Sequence, residues 1–175
     1  MKIELLTQTN HPLYTEAMHL YQISFPHHEQ REALSQEKIL KNPEYRFGLV
    51  YDSNCFVGLV LYWETAQFIY IEHLCILPEK RNNRYGERVL ALLKDKHKTL
   101  ILEIDPPIDE LSKRRKGFYE RCGFIENPFP HIHPPYHKED SGHKLRIMTN
   151  PEPLSQIDYD SFYRYLWDKV MDHAF

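Results

Sequence analysis

The order of apolar and polar positions divides the chain into a succession of strands and helices before any chemistry is considered. Ile3, Leu5 and Leu6 mark an opening strand. Asn10 then offers a helix cap and Pro12 a first-turn residue, ahead of a helix with Leu13, Ala17, Leu20 and Ile23 or Ser24 on one face, closed by Phe25 and Pro26. A shorter helix is expected from Ser35 to Leu40. Arg46 to Tyr51, Cys55 to Trp63 and Gln67 to Leu77 read as three successive strands, the first two joined by the turn residues Asp52, Ser53 and Asn54. Val89, Leu90, Leu92 and Leu93 then follow helical spacing between Tyr85 and Lys96, and Thr99 to Ile104 is a short β-type run closed by Asp105, Pro106 and Pro107. Strand, helix and strand in that order predict a parallel crossover unit. Leu111, Arg115, Phe118 and Cys122 predict another helix, stopped by Gly123 in a left-handed cap. Phe124 and Ile125 open a further strand, Lys144 to Met148 form the last, and Tyr159, Phe162, Tyr163, Leu166 and Val170 line a terminal helix over about 158–172. The expected class is α/β (α+β), a mixed and mostly antiparallel central sheet with helices on both faces.

Composition narrows the partners. The chain of 175 residues, 42% hydrophobic and 27% charged, fits one domain spanning 1–175. Its net charge of -3, with both signs interspersed, gives no footprint for nucleic acid. The opening MKIELLTQTN lacks the pattern of a signal peptide, and no apolar run approaches the roughly eighteen residues that span a bilayer, so no membrane partner and a cytoplasmic location are expected. Cys55, Cys75 and Cys122 are odd in number and widely spaced, and read as reduced core thiols. The stretch Asn127 to His143, rich in Pro and His, reads as a long loop or irregular hairpin. Within it His131 and His133 alternate onto one face, which suits a metal, yet no Cys or His pair follows at zinc-finger spacing. A Pro-stiffened loop is preferred and no metal is expected.

Two motifs carry a family resemblance. The segment IEHLCILPEKRNNRYGE, from Ile71 to Glu87, resembles the acetyl-CoA-binding core of the GNAT superfamily of N-acetyltransferases, a strand running into an Arg/Gln-x-x-Gly-x-Gly/Ala loop and then a helix. Here the loop is Arg81, Asn82, Asn83, Arg84, Tyr85 and Gly86, with Glu87 following. SKRRKGFYERCGF, from Ser112 to Phe124, is similar to the family's Asn-x-x-Ala-x-x-x-Tyr-x-x-x-Gly-Phe helix and aligns Tyr119, Gly123 and Phe124. Arg84 stands where the family has its first glycine, Ser112 where it has an asparagine that hydrogen-bonds the pantetheine arm, and Arg115 where it has alanine. The resemblance implies acetyl-CoA as cosubstrate, held by the loop, by backbone N–H groups of Leu74, Cys75 and Ile76, and by Ser112 and Phe118. The loop chemistry agrees independently: successive N–H groups at a helix N-terminus form an anion site suited to a pyrophosphate, and Gly86 permits close backbone approach.

Acyl transfer to an amine needs a neutral nucleophile, a polarised carbonyl and a proton for the departing thiolate. A lysine-like amine is neutral about once in 2,500 molecules at pH 7, a handicap of about 4.6 kcal/mol that a general base or a desolvating pocket must reduce. Glu72, where the family often carries a carboxylate, is the first candidate base, directly or through a water; Glu103 on the neighbouring strand is the second. Tyr119 matches the family's general acid. Glu29, in the connection FPHHEQRE, is a candidate partner for a cationic acceptor, and His133 and Tyr136 in HIHPPY are candidates to line the same pocket. The expected activity is transfer of acetyl from acetyl-CoA to a primary amine of a small molecule, peptide or protein. The alternatives are a noncatalytic CoA-binding module on the same fold and, last, a metal-dependent hydrolase built on the histidine-rich loop. Pairing of a long strand or packing of the aromatic C-terminal helix would give a homodimer.

Overall fold

In the computed structural model, which describes residues 1–174, the apolar runs assemble into one eight-stranded sheet. Strands β1 (Lys2–Leu6), β2 (Tyr45–Asp52), β3 (Cys55–Glu64) and β4 (Phe68–Ile76) form an antiparallel meander. The helix α3 (Tyr85–Lys94) crosses over to β5 (Thr99–Ile104), which lies parallel to β4 as the strand-helix-strand order requires. β8 (His143–Asn150) pairs antiparallel with β5, and its other edge takes β6 (Ile125–Glu126) and β7 (His131–His133). The Pro- and His-rich stretch is thus an irregular hairpin. Ser53 and Asn54 both take left-handed φ, 49° and 67°, in the β2–β3 turn.

Helices cover both faces. On one, α1 (Tyr14–Ser24), α2 (Ala33–Ile39) and α5 (Gln156–Tyr165) bury Ala17, Leu20, Ile39, Tyr159 and Phe162 against Leu59, Leu61, Trp63 and Tyr70. On the other, α3 and α4 (Glu110–Arg121) cover Val60, Ile69, Ile71 and Leu102. Val89, Leu90 and Leu93 of α3 are completely buried, about 1.5–3 kcal/mol of hydrophobic stabilisation each.

Four local expectations are corrected. Asn10 does not cap α1, which begins at Tyr14 after Leu13 without a side-chain cap. Of the alternatives Ile23 and Ser24, Ser24 is the one turned inward and Ile23 is exposed, and Leu111 lies on the exposed side of α4, because each helix turns only a narrow stripe to the sheet. Cys55 is exposed at the start of β3, whereas Cys75 and Cys122 are buried thiols. The terminal helix changes to π-type turns at Leu166–Val170. Gly123 does close α4 with φ 80°.

Candidate active site

The β4–β5 ladder stops at Ile71 opposite Leu102. Beyond that rung the two strands contribute Glu72 to Ile76 and Glu103 to Ile104 to a single cavity of about 1170 Å3. The 3-10 turn His27–Glu29, the loop before α3, the inner side of α4 and the segment from His133 to Tyr136 complete its walls.

One arm of the cavity is built from backbone. Leu77 N–H is spent on Val57 of β3, so by the alternation of an antiparallel ladder Cys75 also faces β3 while Leu74 and Ile76 turn N–H and C=O to the open edge. Ile76 C=O accepts from Arg81 Nε at 3.2 Å, as an open-edge carbonyl can. The backbone role expected for Cys75 is therefore corrected: its peptide belongs to the β3 ladder, and its thiol, pushed up to about 11 by burial, packs in the core. Beside this edge stands the N-terminus of α3, which has no side-chain cap and leaves its first N–H groups free for an anion. Arg84 holds the N-cap position in left-handed conformation, φ 58°, and its guanidinium is chelated by Glu87 at 2.7 and 2.8 Å. The glycine of the related loops is thus replaced without loss of the turn. Asn82 is left-handed too, at φ 64°. A Cβ at Gly86 would meet Phe118 Cζ at 3.1 Å, so the absence of a side chain is what lets α3 and α4 close around the cradle.

Other members of this set do different work. Asn83 folds back onto the carbonyls of Lys80 and Arg81. Tyr85 donates to Asp52, which also accepts from both terminal guanidinium nitrogens of Arg88, so the pair ties α3 to the β2–β3 turn. Ser112 is corrected: its buried hydroxyl closes a capping box with Asp109, accepting from Asp109 N–H at 3.1 Å, and does not line the cavity. Tyr119 does line it. Its ring packs against Phe118 and Phe124, its hydroxyl has no hydrogen-bond partner among the described residues, and burial pushes its pKa up to about 12.

The second arm is built from side chains. A β-bulge sets two residues of β4 against the step from Leu61 to Tyr62, with Glu72 as the extra residue, and so brings Glu72 and His73 to the same face. Glu72 accepts from Arg31 Nη2 at 3.0 Å, from Tyr136 Oη at 2.7 Å and from Trp63 Nε1 at 2.8 Å. The side chains of Arg31 and Glu72 are 1% and 2% exposed, so this is an ion pair withdrawn from water. Burial raises the Glu72 pKa, but the Arg31 charge and the donated bonds outweigh it and hold the carboxyl below its ordinary range. That environment corrects the expectation of Glu72 as the base, since a carboxylate with a lowered pKa and three donors is a poor proton acceptor. Its work is to fix Arg31, which also donates to Val170 C=O at 2.6 Å and to Ser35 Oγ at 3.3 Å.

Glu103 is similarly engaged. It accepts from Tyr70 Oη at 2.5 Å and from His131 Nε2, and its pKa falls to about 2 because the two histidines and these bonds overcome desolvation. His133 Nδ1 donates to Pro134 C=O at 2.6 Å, since a carbonyl can only accept; in the neutral ring Nε2 then carries the lone pair. This nitrogen lies 3.4 Å from Tyr136 Oη and 3.8 Å from Glu103 Oε2. Glu29 lines the cavity mouth, its pKa raised by desolvation and by the charge of Asp105. Its backbone C=O accepts from His73 Nε2 at 2.9 Å. Arg31, His73, Asp105 and His143 belong to this arm and went unread in the sequence, because nothing in their spacing announces a cluster drawn from four separate segments.

The sequence that builds this cavity matches a known family. The model of the Acetyltransferase (GNAT) family covers residues 10–124. The chain belongs to the GNAT acetyltransferase family. Among curated proteins it is 27% identical over 131 residues to "Putative acetyltransferase YjbC" of Bacillus subtilis, covering 73% of this chain and 60% of that protein. The chain therefore spans about 60% of the length of the curated relative it matches. A solved GNAT-family structure from Bacteroides thetaiotaomicron, described as a "putative acetyltransferase", superposes with a TM-score of 0.91 at 26% identity, covering 98% of both chains. A Bacillus subtilis acetyltransferase solved in complex with CoA shares the fold at TM-score 0.59 and 14% identity, over 85% of this chain and 96% of its own. The GNAT fold, an α+β arrangement with a mixed and mostly antiparallel sheet, is thus the fold of this chain. None of the helices among the described residues is long and apolar enough to cross a membrane.

Proposed function

We propose that this GNAT chain is an N-acetyltransferase that moves the acetyl group of acetyl-CoA directly onto a primary amine of a small molecule or peptide. The observation that carries this reading is the meeting, in one cavity, of the open β4 edge, the uncapped N-terminus of α3 and the unpartnered Tyr119 hydroxyl. The residues fit the cosubstrate: free N–H groups suit a pyrophosphate, Leu74 and Ile76 offer strand-like pairing to an amide-containing arm, and Gly86 keeps the approach clear. When bound, acetyl-CoA supplies an acyl group activated as a thioester. Leu74 N–H or Ile76 N–H polarises the acyl carbonyl from the open edge. Glu29 at the mouth attracts a cationic acceptor. Once the ammonium has released one proton to solvent, the neutral amine nitrogen forms the new N–C bond as the C–S bond breaks; His133 Nε2 takes the second nitrogen proton and Tyr119 gives one to the thiolate sulfur. Glu103, 3.8 Å behind His133, meets the charge that the ring then carries.

Calorimetric titration with acetyl-CoA and CoA, followed by an amine panel assayed for released thiol, tests the reading. Binding with turnover of an amine is the expected result. Failure of both titrations would overturn it, and binding without turnover of any amine in the panel would favour a noncatalytic CoA-binding module.

A further inference from the structure

The mouth of the acceptor arm carries a second cluster, whose two histidines acyl transfer does not use and whose carboxylate is Glu29. His28 and Glu29, from the turn after α1, meet His143, the first residue of β8, and one ligand-type atom from each lies within 4.8 Å of the others. Among the described residues no other trio of His, Cys, Asp or Glu side chains brings its donor atoms this close. All three line the cavity. Their backbones are held in place: the Glu29 carbonyl takes the His73 bond, and His143 forms the β7–β8 rung opposite His133. Gly142 before it packs so tightly that a Cβ would fall 2.6 Å from Ile132 Cγ2 and 2.9 Å from His133 O. Behind the cluster, Asp105 places Oδ1 at 3.4 Å from His143 Nε2, while its Oδ2 is fixed by Arg115 at 2.7 Å.

We propose that His28, Glu29 and His143 form a binding site for a divalent transition-metal ion of the zinc class, with Asp105 as the carboxylate that orients His143. Two imidazoles and a carboxylate form a borderline donor set, which suits zinc, cobalt or nickel in preference to magnesium or calcium. Zn–N bonds of about 2.0–2.1 Å in a tetrahedral shell place donors about 3.4 Å apart, so the trio must close by roughly 1 Å, a movement the exposed His28 side chain supplies by rotamer change. An imidazole ligand held by a carboxylate is the usual support of such sites. Three protein ligands leave a position open toward the cavity. An ion there takes the Glu29 carboxylate out of acceptor binding, so metal and a cationic acceptor compete; this last consequence rests on the acyl-transfer reading, whereas the site itself does not.

The test is calorimetric titration of chelator-treated full-length protein with zinc chloride, without acetyl-CoA or amine, repeated with cobalt chloride while the visible d–d absorption is recorded. One equivalent bound at micromolar concentration is expected. His28→Ala and His143→Ala should each weaken binding at least tenfold and Asp105→Asn about tenfold, while His97→Ala, at the distant α3–β5 connection, leaves it unchanged; circular dichroism confirms that each variant is folded. Absence of saturable zinc binding by the unaltered protein overturns the proposal, as does unchanged affinity in the His28→Ala/His143→Ala double variant. Because neither acetyl-CoA nor amine is present, failure here is distinguishable from failure of the acyl-transfer reading.

Discussion

The two arms of the cavity solve opposite problems. The arm proposed for the cosubstrate is exposed and made of main chain: N–H groups of a parted strand, a helix start, and turn residues at positive φ. Its side chains mostly bond to one another, as Arg84 does to Glu87 and Asn83 to its own loop. The arm proposed for the acceptor is buried and made of side chains, a chain of contacts from Arg31 through Glu72, Tyr136, His133 and Glu103 to His131 and Tyr159. A backbone site tolerates substitution because every residue carries the same N–H. A network of buried charges does not, because removing one member strands another away from water.

The largest expected effect tests that asymmetry directly. Arg31→Met leaves the Glu72 carboxylate buried without its cation and should cost about 3–5 kcal/mol in urea unfolding, with part of the loss recovered in the Arg31→Met/Glu72→Gln double variant. Equal losses in single and double variants would mean that packing, and not charge, holds the arm. Tyr119→Phe, at the junction of the arms, should lower kcat about a hundredfold with little change in KM for acetyl-CoA. A rate unaltered by the loss of the hydroxyl would remove Tyr119 as the acid.

A third effect is smaller and pH-dependent. The folded-state pKa of Glu103 is depressed to about 2, below its ordinary 4.5, so the stability it contributes is complete above about pH 4.5 and is lost as pH falls toward 2. The unaltered protein should therefore lose stability more steeply over that interval than Glu103→Gln, measured as unfolding free energy against pH; parallel curves would show that Glu103 has no such linkage. The smallest change belongs to the backbone arm. Arg84→Gly relieves a left-handed conformation at an exposed residue but forfeits the Glu87 contact, and should raise Tm by roughly 2 °C with acetyl-CoA affinity preserved. A fall in Tm would show that the Arg84–Glu87 pair, and not glycine-like geometry, maintains the turn.

The sequence alone determined the elements and the contiguous loop that leads into α3. Runs such as Val89, Leu90 and Leu93 announce their own periodicity, strand-helix-strand order dictates a parallel crossover, and the loop from Arg81 to Gly86 is contiguous, so its place at the start of α3 is written in neighbouring letters. The helix that carries Tyr119 to the cavity wall was legible for the same reason, lying on a motif with fixed spacing. Only the tertiary structure decided what the acidic residues do. Glu72 reads as a free carboxylate on a strand, yet a bulge and the arrival of Arg31, 41 residues away, make it half of a buried ion pair. Ser112 matches a cosubstrate-binding position, yet Asp109 three residues earlier claims its hydroxyl. Backbone preferences act over a few residues and survive in the sequence, whereas the charge state and partners of a buried side chain depend on which distant segments fold against it.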